Sequence, residues 1–147
     1  MNRTALLLLF AALPVGIVIA PAPSGPDDES VFVRALPAGQ HESVVYVWTS
    51  DADQKDPDFL SVLDADPASP SYGKVIATAS TGSPGNEAHH FGYTTNADRI
   101  FAGGLFSNRL FIYDVATDPK HPKLVKTVPD LAASTGFSGP HTFYAVP

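Results

Sequence analysis

One pattern of strands and turns occurs twice in this sequence, about fifty residues apart. The apolar run Phe59–Asp64 ends in Asp and is followed by an Asp-Pro-x-x-Pro turn at residues 66–70 and by a second apolar run. Leu110–Asp114 is followed in the same way by an Asp-Pro-x-x-Pro turn at residues 118–122. A period of about 40 to 50 residues that contains several strands is typical of a β-propeller blade.

The repeat has one simpler explanation, in which two unrelated hairpins share the same turn chemistry. Asp-Pro turns are common, because Pro presets the backbone and Asp accepts hydrogen bonds from the N–H groups of the turn. Here the strands on both sides of the two turns also match, which favours the repeat. We expect Asp64 and Asp114, which end the strands before the two turns, to accept such bonds.

Seven short β-branched or aromatic runs, bounded by polar and Pro/Gly clusters, follow one another after residue 40. They are Val44–Thr49, Phe59–Leu63, Lys74–Thr78, His90–Thr95, Arg99–Ala102, Arg109–Tyr113 and Leu124–Val128. Turn residues at 96–99 and 107–108 predict tight hairpins. The best helical candidate, Asp130–Ser134, is about one turn long. The predicted class is all-β, with two to three blades of a larger propeller.

The N-terminus has the composition of an export signal. Met1–Arg3 is a short positive start, Ala5–Ala20 is uncharged and apolar, and a Pro-rich stretch follows. The apolar run is shorter than the roughly 20 residues of a spanning helix, so no stable membrane anchor is expected. We interpret residues 1–25 as a signal peptide and Pro-rich linker, and residues 26–147 as the N-terminal part of a propeller domain. The expected location is periplasmic or secreted, and the absence of Cys fits export.

Charge and length limit the partners and the stability of the chain. Nine Lys and Arg oppose 15 Asp and Glu, a net charge of -6, so nucleic acid is not an expected partner. A propeller ring closes with about four to eight blades. Because open blades would expose strand edges and apolar faces, we expect the 147-residue chain to aggregate or to melt without a cooperative transition. The chain therefore resembles the beginning of a longer protein.

Histidines are the candidate chemical groups. His90-x-x-Tyr and His141-x-x-Tyr stand 51 residues apart, so the repeat places them at corresponding points of successive blades. If both begin innermost strands, their side chains converge on the central channel, where imidazoles suit Cu, Zn, Fe or Ni. His89 is adjacent to His90, and neighbouring strand residues face opposite sides. Both can therefore bind one ion only where the strand is frayed or bulged.

Other candidate sites carry weaker signals. The three histidines could instead be solvated residues at loop ends, with no metal bound. If they do bind a metal, Glu87 could orient one of the imidazoles by a hydrogen bond. The acidic stretch Asp51–Asp58 has calcium-loop spacing but no Gly at the tight turn, which favours a solvated loop. Ser138 lacks the Gly-x-Ser-x-Gly elbow of a hydrolase. His41 and His121 lie in polar or Pro-rich surroundings and should be exposed.

Four motifs in order carry a family resemblance. They are the stretch 58–76, the Glu-Ala-His-His-Phe-Gly of residues 87–92, the stretch 109–124, and the Gly-Pro-His-Thr of residues 139–142. Together they resemble the N-terminal part of the selenium-binding protein family, which includes methanethiol oxidase. The resemblance covers roughly residues 44–147.

The resemblance implies a propeller of several blades and, in the oxidase branch, copper-dependent conversion of methanethiol and dioxygen to formaldehyde, hydrogen sulfide and hydrogen peroxide. Carried over by position, His89, His90 and His141 are the implied metal ligands within this chain, with the remaining ligands beyond Pro147, and a small thiol is the implied substrate. The isolated 147-residue chain is therefore expected to be inactive. The chain has no Cys, so the resemblance does not extend to selenium binding through a thiolate. The alternatives are a non-catalytic secreted propeller that binds or scaffolds other molecules and, more distantly, a lactonase-like propeller.

Overall fold

The structure, a computed structural model, describes residues 41–146. The predicted signal peptide and linker at residues 1–25 lie outside the described residues. Within the described range, no helix is long and apolar enough to cross a bilayer.

Seven strands form two antiparallel sheets, in which each strand pairs with its neighbour in sequence. The first sheet has the order β1-β2-β3 and the second the order β4-β5-β6-β7. The strands are β1 (Val44–Thr49), β2 (Phe59–Asp64), β3 (Val75–Ser80), β4 (Ala88–Tyr93), β5 (Arg99–Gly104), β6 (Arg109–Asp114) and β7 (Lys123–Val128). A five-residue helix, α1 (Leu131–Thr135), follows them. The prediction of an all-β propeller fragment is confirmed, with one sheet for each of two blades.

The β2–β3 and β6–β7 hairpins are structural copies of each other. The pairing register shifts between Val62 and Leu63 in the first hairpin and between Ile112 and Tyr113 in the second, fifty residues later. Asp64 ends β2 and accepts the N–H of Asp66, while Asp114 ends β6 and accepts those of residues 116 and 117. The same irregularity at the same position confirms the repeat predicted from the sequence.

The core of the described residues joins the two sheets. Trp48 and Leu60 of the first sheet pack in one cluster with five residues in or just after the second. Those five are Ile100, Ala102, Phe111, Tyr113 and Val115. The Trp48 ring centroid lies 5.8 Å from that of Phe111 and 6.2 Å from that of Tyr113. Both aromatic contacts cross the boundary between the sheets, so each sheet covers the apolar face of the other.

The chain after β7 differs in part from its prediction. The helix forms one residue later than expected, because Asp130 is its N-cap and accepts the N–H of Ala133 at 3.0 Å. Residues 142–147 also have a strand-like apolar sequence, but no strand forms among the described residues 141–146. A strand needs a partner for its N–H and C=O groups. This segment instead crosses the second sheet over two glycines, Gly92 and Gly103.

Candidate metal centre

The structure brings together the three histidines that the sequence singled out. One ring nitrogen from each of His89, His90 and His141 lies within 4.8 Å of the others. The ring centroid of His90 is 4.5 Å from that of His89 and 4.3 Å from that of His141, and the third pair is also 4.5 Å apart. All three side chains are exposed. The cluster is therefore open to a small solute.

A β-bulge explains how two adjacent histidines reach one cluster. Ala88 pairs with Gly104 and Phe91 pairs with Ala102, so both histidines of β4 lie opposite the single residue Gly103. Successive side chains of a regular strand point to opposite faces, and a bulge with two residues against one breaks that alternation. The bulge is the irregularity that His89 and His90 need in order to bind one ion together.

Residues of the first sheet hold both strands of the bulge. The Ser50 hydroxyl oxygen, just after β1, accepts the N–H of Ala88 at 2.7 Å. The indole Nε1 of Trp48 donates to the carbonyl oxygen of Gly103 at 3.0 Å. Sequence reasoning missed both residues, because they lie 38 and 55 positions from their partners and no local pattern marks such contacts.

His141 reaches the cluster from an irregular segment rather than from the mouth of a strand. The N–H of Gly139 donates to Oδ1 of Asn108 at 2.8 Å, which anchors the segment just before the histidine. The Nδ1 atom of His141 lies 2.8 Å from the Thr142 hydroxyl oxygen. When Nδ1 donates that hydrogen bond, the lone pair of Nε2 is left for another partner.

The electrostatic environment of the cluster favours the neutral form of His90. Loss of hydration lowers the pKa of His90 from its usual value, and the neighbouring charges of His141 and His89 lower it further. Among the described residues, no carboxylate joins the cluster, and Glu87 makes no ion pair or hydrogen bond with any of the three rings. The idea that Glu87 orients an imidazole therefore has no contact to support it.

The acidic stretch Asp51–Asp58 uses its carboxylates for its own backbone. The Asp51 carboxylate accepts the N–H groups of Lys55 and Asp56 at 2.9 and 3.1 Å. Asp58 is only 1% exposed and accepts the N–H groups of Asp51 and Asn86, each at 2.8 Å. These bonds favour the structural interpretation of the loop over a calcium site.

Two further histidines lie outside the cluster. His41 and His121 are exposed, as expected, and lie 3.8 and 3.0 Å from the carboxylates of Asp66 and Asp118. Each of those carboxylates belongs to an Asp-Pro turn of the repeat. These two histidines are useful comparison positions for the cluster.

Several known proteins are similar to this chain in sequence and in fold. Residues 24–147 match the family described as 56kDa selenium binding protein (SBP56). A methanethiol oxidase from Hyphomicrobium is 43% identical over 147 residues, which covers 97% of this chain and 33% of that protein. Selenium-binding protein 2 from Arabidopsis thaliana is 35% identical, over 76% of this chain and 26% of that protein.

A solved structure extends the likeness to the fold. The X-ray structure of a hypothetical selenium-binding protein from Sulfolobus tokodaii superposes with a TM-score of 0.66 at 25% identity, covering 72% of this chain and 27% of that one. The chain thus spans about a third or less of the length of the relatives that it matches. On the family match and these identities together, the chain belongs to the 56 kDa selenium-binding protein family.

Proposed function

We propose that this chain contributes the histidine ligands of a copper-dependent methanethiol oxidase. The observation that carries the proposal is the convergence of His89, His90 and His141, with ring nitrogens within 4.8 Å of one another. It is supported by relatives named methanethiol oxidase, from Hyphomicrobium and Ruegeria pomeroyi, each 43% identical to this chain.

The donor set fits copper chemically. Imidazole nitrogen is a good ligand for copper. A metal ligand must present a free lone pair, and the lowered pKa of His90 favours the form of that ring that has one. All three histidines are exposed, so a small thiol can reach them in this chain. When bound, copper would supply an acceptor for the thiol sulfur and a route for electrons to dioxygen.

The proposed reaction balances with water as a co-reactant. Methanethiol, dioxygen and water give formaldehyde, hydrogen sulfide and hydrogen peroxide. The C–S bond breaks, the carbon loses two electrons and gains an oxygen from water, and dioxygen takes up the two electrons and two protons. The chain's own part is to hold three imidazoles in one place, His89 and His90 through the bulge and His141 through its segment.

The proposed setting is outside the cytoplasm, in the periplasm or beyond the cell. It rests on the export-type composition of residues 1–25. The proposed partner is a small thiol rather than a nucleic acid, since the net charge of -6 would repel a phosphate backbone.

Copper binding is the first test. We expect the full-length protein to retain about one copper ion per chain after dialysis, and we expect His90→Ala and His141→Ala to weaken binding by about tenfold or more, because each removes a ligand. His121→Ala is the matched control, since it removes an exposed histidine outside the cluster. Metal content by mass spectrometry and competition titration measure the effect. Equal copper affinity in all four proteins would refute the proposed ligand set.

Activity separates the oxidase from a non-catalytic binding protein. The full-length, copper-loaded protein is incubated with methanethiol in air, and hydrogen sulfide and hydrogen peroxide are measured. We expect both products from the full-length native protein and its His121→Ala variant, and neither from the full-length His141→Ala variant or from the isolated 147-residue chain. Copper binding without either product would instead support the alternative of a secreted propeller that binds or scaffolds without catalysis.

A further inference from the structure

Two buried glycines lie directly beneath the segment that carries His141. Gly92 is on β4 and Gly103 is on β5, opposite the bulge. Neither has a positive φ, so no backbone conformation requires glycine at these positions. What their missing side chains allow is the close approach of another stretch of chain.

We propose that Gly92 and Gly103 are positioning residues for His141. Their lack of a Cβ sets the height at which residues 140–143 cross the second sheet, and that height places the His141 ring against His89 and His90. The inference deepens the proposed function and rests on it only in taking the three histidines as one binding site.

The contacts at Gly92 involve backbone, which cannot rotate away. A Cβ built there would collide with the carbonyl oxygen of Phe143 and would lie 3.0 Å from both its carbonyl carbon and its Cβ. These separations are below the roughly 3.5–4.0 Å optimum for carbon atoms. A side chain at Gly92 must therefore lift the segment at Phe143, two residues after His141.

The contacts at Gly103 lie on the other side of the histidine. A Cβ there would be 2.8 Å from the carbonyl oxygen of Pro140 and 2.9 Å from Cε2 of the Phe143 ring. The ring could turn aside, but the Pro140 carbonyl belongs to the backbone. Because His141 lies between Pro140 and Phe143, its height above the sheet is limited on both sides.

Gly139, which lies within the segment itself, has no close contact of the kind found at Gly92 and Gly103. A Cβ at Gly139 would find its nearest neighbour, a Leu105 methyl group, at an ordinary 3.5 Å. The hydrogen bond from Gly139 to Asn108 already fixes that end of the segment. The two sheet glycines thus control the part of the segment that this bond does not reach.

The first test follows the histidine rings in the metal-free protein. Ring protons of His141 should show NMR cross-peaks to those of His89 and His90, since the centroids are 4.3 to 4.5 Å apart. In Gly92→Ala we expect the cross-peaks of His141 to vanish while those between His89 and His90 remain. The His89–His90 pair is an internal control, because the bulge holds both rings independently of the segment.

Two further variants keep the test decisive. Gly103→Ala is the milder change, since part of its contact is with a rotatable ring, and it remains informative if Gly92→Ala does not fold. Val62→Ala removes a fully buried side chain from β2 in the first sheet and controls for lost stability alone. We expect Val62→Ala to retain every cross-peak. His141 cross-peaks that persist in both glycine variants would overturn the proposal.

Copper affinity supplies a second, independent measurement. We expect His141→Ala to weaken copper binding about tenfold or more in the native background but to cause no further loss in Gly92→Ala, because His141 is already displaced there. Additive losses would overturn the positioning role. If the native protein binds no copper, the proposed function fails, and the NMR experiment alone still decides the role of the glycines.

Discussion

At the scale of single residues, the two repeat aspartates show how one side chain organises a turn. The carboxylate of Asp64 accepts the hydroxyl groups of Ser69 and Ser71 and the N–H of Asp66. These hydrogen bonds, the serine hydroxyls first, hold the pKa of Asp64 below its usual value. At Asp114 the Thr117 N–H is the first cause of the same lowering. The ionised carboxylate therefore stabilises both turns.

We expect Asp64→Asn to destabilise the protein at neutral pH and much less in acid. A carboxyl group whose pKa is lower in the folded than in the unfolded state stabilises the fold above the unfolded pKa of about 3.9. That contribution disappears as the pH falls through the folded pKa, so native and variant proteins should converge in stability at acidic pH. Urea unfolding of the full-length protein, followed by circular dichroism at neutral and at acidic pH, measures this.

Asp56→Asn is the control for that experiment. Asp56 is exposed, and its carboxylate has no hydrogen-bond or ion-pair partner among residues 41–146. We expect Asp56→Asn to change the free energy of unfolding by less than about 0.5 kcal/mol at either pH. An Asp64→Asn protein that loses equal stability at both pH values would contradict the assigned role.

At the scale of strands, β1 supports a site that lies in the other sheet. Trp48 is 8% exposed, packs against Phe111 and Tyr113, and donates its indole N–H to Gly103. Ser50, one residue beyond β1, holds the first residue of β4. The bulge that carries His89 and His90 thus depends on a strand about forty residues earlier in the chain.

We expect Trp48→Phe to lower the free energy of unfolding by about 1–3 kcal/mol, because the buried carbonyl of Gly103 loses its indole donor while an aromatic ring remains. The measurement is urea denaturation of the full-length protein followed by circular dichroism, a signal that does not depend on the tryptophan being replaced. Tyr113→Phe is the control. Its hydroxyl group makes only a long bond of 3.4 Å to Ala79, so its removal should cost less than about 1 kcal/mol. If the two variants lose the same free energy of unfolding, the hydrogen bond from the Trp48 indole to Gly103 does not have the stabilising role assigned to it.

At the scale of the whole molecule, the described sheets leave apolar side chains in contact with water. On β1, Tyr46 and Trp48 pack toward the core, whereas Val45 and Val47 are 48% and 42% exposed on the opposite face. Neighbouring exposed valines on a strand form a surface suited to association with other protein.

We expect the 147-residue chain to self-associate with rising concentration, and we expect the double variant Val45→Thr, Val47→Thr to reduce that association. Threonine keeps the β-branched shape that suits a strand but exposes a hydroxyl group in place of a methyl group. Sedimentation velocity over a concentration series measures the effect. Val125→Thr, a single exposed valine next to Lys126 on β7, should change nothing. A native chain that stays monomeric throughout would contradict this expectation.

Much of the fold was predictable because it depends on short-range physics. Strand propensity, Pro and Asp turn chemistry and a fifty-residue period were enough to predict all seven strands, both hairpin turns and the repeat. The same period singled out His90 and His141 as corresponding positions. Each of these features depends on residues near one another in the chain or on their recurrence.

The tertiary structure alone decided how those histidines meet. The bulge at His89 and His90 depends on the register against β5, on Ser50 and on Trp48, all set by contacts across many residues. The segment at His141 forms no strand, because it lies across the close approach that Gly92 and Gly103 permit. A glycine in a strand carries no sign of what will lie above it, and only the assembled sheets bring that neighbour within reach.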